Sequence, residues 1–157
     1  MLDLAVDRLI VLDGDEGEVE AWLVARSPSL RLLRLDRLPG DATILVRAAV
    51  DPFDAVVTLL DTGGKSTEFV TAAVPGLGGG PQHGAGHGVG GGQVTGSVAE
   101  GRSLVVAGTR LAVTRMVVRE SMDGHDGLVG MDVLRGTVLA VSADHRRPVL
   151  WLVAGES

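Results

Sequence analysis

Short runs of Val, Leu, Ile and Thr, each ended by Gly, Asp or Pro, recur through most of this 157-residue chain and constrain its fold more than any other feature. β-Branched residues fit a pleated surface, and runs of this length between turn residues predict an all-β architecture. Aromatics make up only 3% of the residues and tyrosine is absent, so the core has to be built from Val, Leu and Ala. The length suits one domain, or one domain with a modest extension.

Strands are predicted over residues 43–50 and 55–60, with a turn at Asp51-Pro52, and over 103–107 and 110–119, around "AGT". A last pair, 137–143 and 149–153, flanks "DHRRP". Near the start, "DGDEGE" reads as a turn between strands 2–12 and 19–25, a first β-hairpin. The following "RLLRLDRL" suits a short helix by its leucine spacing and a strand by its alternating arginines. Pro39-Gly40-Asp41 is the best internal boundary, dividing a β-rich N-terminal extension (1–40) from a domain spanning 41–157. Twelve of the 23 glycines lie between Gly76 and Gly101, which predicts a mobile surface loop, because so much backbone freedom is costly to order. "DGLVGMDVLRG" is read as the one short helix, near residues 129–135.

The formal charge of -6 lacks the basic footprint of a nucleic-acid binder, and the scarcity of aromatics removes the platforms on which single strands stack. Without cysteine there is neither a disulfide framework nor a thiolate metal site, which leaves the redox compartment undecided. No apolar run has the length of a membrane span, and "MLDLAVDRLIVLDGDEGE" carries acids where a signal peptide needs a basic region. The expectation is a soluble chain with no membrane partner: cytoplasmic by default, periplasmic or secreted if a leader has been removed.

One stretch carries chemistry. In "VVTLLDTGGKS" an apolar strand runs straight into an acid, a hydroxyl and two glycines. Asp61 ends the strand, Thr62 is placed to hydrogen-bond beneath it, and Gly63 lets a backbone amide approach the carboxylate with no Cβ in the way. The pattern suits a rigid carboxylate mount. An acid closing a strand with a side-chain-to-backbone turn is the other reading of the same residues.

A second motif, Asp126-Gly127-Leu128-Val129-Gly130-Met131-Asp132-Val133-Leu134-Arg135, follows at the far side of the glycine-rich region. Together with Asp61-Thr62-Gly63 it resembles the retropepsin-like (retroviral-type) aspartic proteases, in particular the bacterial members in which an apolar-apolar-Gly segment leads into the helix. The resemblance runs from residue 41 to residue 153. It implies a closed, single-lobe acid-protease barrel with one catalytic aspartate per chain, Asp61, completed in a homodimer. It implies an extended polypeptide as substrate and no cofactor or metal. Thr62 and Gly63 would support the dyad, Thr62 by hydrogen bonds across the two-fold axis. Leu128, Val129 and Gly130 would form the apolar turn behind the catalytic loop, and a flap would close from the glycine-rich region with its tip near Gly90, Gly91 and Gly92.

This chain departs from the family pattern at four places. Gly64 and Lys65 stand where a small residue followed by Ser or Asp is usual, Glu68 where an apolar residue is usual, and Met131 where viral members carry an arginine paired with an acid. These departures motivate an alternative: a catalytically inactive member serving as a dimerisation or peptide-binding module. The N-terminal forty residues lie outside the match and read as a hairpin covering a sheet edge or strengthening the dimer.

Other constellations are less informative. His83 and His87 have the HxxxH spacing that puts two imidazoles on one helix face for zinc, but Gly-Ala-Gly between them will not hold a helix. A metal-dependent hydrolase using His83, His87 and His125 is the third hypothesis carried forward. His125-Asp126 reads as a turn, and the acids from Asp13 to Glu20 lack the spacing of a calcium loop.

Overall fold

The computed structural model describes residues 2–3, 8–9, 14–26, 31–36, 44–78, 82–87, 93–106, 109–135, 137–142 and 149–154. The chain forms two compact units, Ala42–Val133 and a second made of Met1–Asp41 with Leu134–Ser157.

The first unit is built on β4 (Leu45–Val50), β5 (Val56–Leu60), β6 (Thr67–Val70), β7 (Gln82–His87), β8 (Gln93–Val106), β9 (Thr109–Arg119) and β10 (Gly127–Val129). Their order is β4-β5-β10-β6-β9-β8-β7, and β4 also pairs with β8. Six strands are therefore hydrogen-bonded in a ring, with β7 attached outside it along β8. The two-residue period of a strand sends alternate side chains to the core. On β4, Val46, Ala48 and Val50 are at most 1% exposed while Arg47 between them is exposed. Leu60, Phe69, Met116, Val118 and Val129 bury the equivalent face of the other strands, giving the Val- and Leu-dominated core that the lack of aromatics demands.

The second unit holds a five-stranded sheet of order β2-β1-β11-β12-β3, formed by β1 (Leu2–Asp3), β2 (Arg8–Leu9), β3 (Arg31–Asp36), β11 (Val138–Val141) and β12 (Val149–Ala154). All its pairings are antiparallel, and β12 lies between β11 and β3. N-terminal and C-terminal strands thus share one sheet. "RLLRLDRL" contributes a strand, not a helix.

The turn and second strand of the hairpin expected over residues 2–12 and 19–25 are replaced by a helix, α1 (Glu16–Arg26). Its cause is a reciprocal cap. The Glu18 N–H donates to Asp15 Oδ1 and the Asp15 N–H donates to Glu18 Oε2, each at 2.9 Å, so "DEGE" (15–18) is a capping box and not a hairpin turn. Val19, Trp22 and Leu23 then fall at helical spacing, with Leu23 buried. Glu20 accepts a hydrogen bond from the buried Trp151 indole at 2.8 Å, fastening α1 to β12. The acids read from sequence as a solvated turn are in part cap and anchor.

The glycine-rich stretch is also corrected. β7 and β8 pair from Gln82↔Ser97 to His87↔Gln93, with a bulge between Gly84 and Gly86. Backbone ladders need no side chains, and one glycine is required by close approach: a Cβ on Gly96 would lie 2.7 Å from both Val117 Cγ1 and the Val118 carbonyl oxygen. The residues joining β7 to β8, including Gly90, Gly91 and Gly92, lie outside the described ones. The short helix, α2 (Met131–Leu134), begins two residues later than expected, because Gly127–Val129 is taken into the sheet as β10. The strand pairs at 45–60, 103–119 and 138–154 follow the sequence reading. Among the described residues no helix is long and apolar enough to cross a membrane.

Candidate functional site

β10 runs parallel to β5, in the register Gly127↔Thr58, Leu128↔Leu59 and Val129↔Leu60, and antiparallel to β6. Two parallel neighbours end at the same level, so the residues after Leu60 and Val129, namely Asp61 and Gly130, emerge side by side. The Asp61 N–H extends that ladder by donating to the Val129 carbonyl at 3.0 Å.

The loop after Asp61 is a tight turn. The Gly63 N–H donates to Asp61 Oδ1 at 2.8 Å, and the Gly64 N–H donates to the Asp61 carbonyl at 3.2 Å. Asp61 is half-buried, and its Oδ2 accepts no hydrogen bond among the described residues. A Cβ on Gly64 would come within 3.0 Å of both Asp61 Oδ2 and Leu128 Cδ2. Gly64 therefore keeps open the space beside the free carboxylate oxygen. Thr62 and Gly63 are exposed, and the Thr62 hydroxyl has no partner within the chain among the described residues. Lys65 is exposed.

Behind the loop, Val129 is 1% exposed and Gly130 is buried against the Ser66 backbone. A Cβ on Gly130 would collide with the Ser66 carbonyl, so glycine is required there by backbone contact. The Met131 N–H donates to the Gly64 carbonyl at 2.7 Å. The loop is thus stitched to the start of α2 as well as to β10.

Sequence reasoning missed the residue that completes this mount. Asp132 accepts the Thr67 N–H on Oδ2 at 2.9 Å and the Thr67 hydroxyl on Oδ1 at 2.8 Å. Thr67 Oγ1 in turn accepts the Gly130 N–H at 3.3 Å, and Thr67 is 0% exposed. The chain from Asp132 through Thr67 to Gly130 holds β6, the end of the Asp61 loop and α2 as one piece. No local pattern signals this link, because Thr67 and Asp132 lie 65 residues apart.

Glu68 is paired. Arg119 Nη1 donates to Glu68 Oε2 at 3.0 Å, the side chains being 27% and 15% exposed. Asp126 serves through its backbone: its N–H donates to the Val57 carbonyl and its carbonyl accepts from the Val70 N–H, each at 3.0 Å. The expected turn at His125-Asp126 is a continuation of the β10 ladder. His83 and His87 lie on strand β7, where helical HxxxH spacing does not apply. Among the described residues no group of three or more His, Asp or Glu side chains is gathered to hold a metal ion.

No family model matches the chain, and no curated protein matches it. Among solved structures, a retropepsin-like aspartic protease from Rickettsia conorii matches with a TM-score of 0.50 and 15% identity, over 80% of this chain and 93% of that one. The EIAV protease complexed with the inhibitor HBY-793 matches with a TM-score of 0.44 and 22% identity, over 59% of this chain and 85% of that one. The chain has a retropepsin-like, all-β fold.

Proposed function

We propose that this chain is one protomer of a homodimeric aspartic endopeptidase that hydrolyses extended polypeptides, with Asp61 contributed by each subunit. The observation that carries the reading is the Asp61 mount: one carboxylate oxygen fixed by the Gly63 amide, the other open beside Gly64, and a rigid apolar turn of Leu128, Val129 and Gly130 behind.

A single chain brings one such carboxylate. Two carboxylates at hydrogen-bonding distance cannot both ionise cheaply, so the pair shares one proton. The ionised Asp61 takes a proton from a water as its oxygen attacks the peptide carbonyl carbon, while the protonated Asp61 of the partner subunit gives its proton to the carbonyl oxygen. The tetrahedral diol then collapses as its hydroxyl proton returns to the dyad and the amine nitrogen takes the other. The C–N bond breaks and the pair again holds one proton. Thr62 and Gly63 support the dyad, Thr62 across the two-fold axis. The β7–β8 hairpin is the lid, excluding water once substrate is bound.

The test is cleavage of an unstructured protein by the wild type and by Asp61→Asn across acidic to neutral pH. The expected result is cleavage by the wild type and a loss of ~10³-fold or more in the variant, the scale of a positioned acid–base group. Equal cleavage by both, or none by either, refutes the proposal. Sedimentation that finds only monomer at high concentration, even with a peptide-like aspartic-protease inhibitor, also refutes it. The second reading, a non-catalytic dimerisation or peptide-binding module, is favoured by Lys65 beside the loop; it predicts peptide binding without turnover.

A further inference from the structure

Beside Asp61, one strand face carries a row of half-buried side chains: Leu59 on β5, Leu128 on β10 and Glu68 on β6. The pairings Leu128↔Leu59 and Leu128↔Glu68 set them opposite one another, and residues directly opposite in neighbouring strands project from the same face. Leu128 Cδ2 and Asp61 Oδ2 border the same small space, since each lies 3.0 Å from the point where a Cβ on Gly64 would sit. Leu128, the middle of the row, therefore borders the open carboxylate oxygen, and Glu68 ends the row one strand further on, roughly 5 Å at ~4.8 Å per strand.

Glu68 is an unusual end to an aliphatic row. Arg119 occupies its Oε2, while Oε1 accepts no hydrogen bond from any described residue. A carboxylate has about four acceptor positions, so this 15% exposed group retains unused lone pairs. An apolar ligand packed against the row would bury them unsatisfied, whereas a ligand carrying N–H donors would satisfy them.

We propose that Glu68 is a specificity-determining residue. In a polypeptide bound at Asp61, it selects a hydrogen-bond-donating side chain (Gln, Asn, Lys or Arg) over Val, Leu or Ile, within two positions of the scissile bond. Arg119 sets the balance within that class: by neutralising Glu68 it lets neutral amides compete with cations. The inference rests on the endopeptidase reading above. A purely structural ion pair joining β6 to β9 would make no such choice.

The experiment is cleavage profiling of a proteome-derived peptide library with wild type, Glu68→Val, Arg119→Gln and Asp61→Asn. The wild type should enrich donor side chains at one position near the cut. Glu68→Val should reverse that enrichment toward aliphatics by ~10-fold, and Arg119→Gln should raise Lys and Arg over Gln and Asn by ~10-fold. Should Glu68→Val lose its native circular dichroism, Glu68→Gln keeps the side-chain size and should lose the preference for cations. Cleavage that depends on Asp61 but has the same profile in wild type and Glu68 variants overturns this inference alone. Absence of cleavage by the wild type, or cleavage that survives Asp61→Asn, overturns the endopeptidase reading and this inference with it.

Discussion

Replacing Asp132 by alanine tests whether the loop carrying Asp61 is held from behind. The substitution removes the acceptors for the Thr67 N–H, the Thr67 hydroxyl and the Val133 N–H. Val133 keeps a partner, since its N–H also donates to the Gly130 carbonyl at 3.1 Å. Among the described residues the Thr67 donors keep no other side-chain acceptor, and Thr67 is 0% exposed. An orphaned buried donor costs about 1–3 kcal/mol. Because Asp132 itself is exposed, water can enter where its carboxylate stood, and the expected loss is at the lower end, ~2–3 kcal/mol for the pair of donors. With an unfolding slope of ~2 kcal/mol per molar urea, the midpoint should fall by about 1 M. Asp132→Asn should recover about half of this, since its amide oxygen can accept from the Thr67 N–H while the NH2 group leaves the Thr67 hydroxyl hydrogen without its acceptor. The double variant with Thr67→Val should be less destabilised than the sum of the singles by ~1 kcal/mol or more, because valine has no hydroxyl to orphan. A midpoint change typical of a surface substitution, ~0.5 kcal/mol, or additivity within ~0.5 kcal/mol, would refute the reasoning.

Two neighbouring glycines should respond differently to alanine. Gly130→Ala drives a Cβ into the Ser66 backbone, which cannot rotate away, and should cost ~3 kcal/mol or more by urea unfolding. Gly64→Ala meets only the side-chain atoms Asp61 Oδ2 and Leu128 Cδ2, each at 3.0 Å; stability should stay within ~1 kcal/mol while peptide cleavage falls, because the space beside the free oxygen is narrowed. Glu18→Ala breaks the reciprocal cap of α1 and should cost ~1 kcal/mol with no change in cleavage.

Strands β4, β5 and β9 and the last part of β8 were legible because Val, Leu and Thr alternate along them and Gly, Asp and Pro end them. α1 was not, since "DGDEGE" has the composition of a turn and only the Asp15–Glu18 pairing distinguishes a cap from a hairpin. The glycine-rich hairpin escaped for the opposite reason. Glycine content measures the entropy cost of ordering, but Gly96 is there because β8 passes too close to β9 for a side chain. At the site, Asp61-Thr62-Gly63 and Leu128-Val129-Gly130 could be picked out locally. The Thr67–Asp132 bonds and the Glu68–Arg119 pair join residues far apart in sequence, and no local pattern carries them.

Those long-range bonds also bear on the departures from the family pattern. The position where viral members carry an arginine beside the helix glycine is Met131, and Lys65 stands where Ser or Asp is usual. An arginine pairing with an acid would fasten the loop through a cationic donor. Here the fastening has the opposite polarity: a helix carboxylate, Asp132, accepts from the backbone and hydroxyl of Thr67. The loop side of that connection is a backbone N–H and a hydroxyl, so the residue at 65 has no part in it and a lysine is tolerated. Glu68 follows the same logic, for its carboxylate is answered from β9 by Arg119 and not from within the loop. The altered residues thus leave the Asp61 mount intact. Their effect falls on what lies beside it, a cation at one side and a half-satisfied carboxylate at the other, and those are the groups that a bound polypeptide would meet.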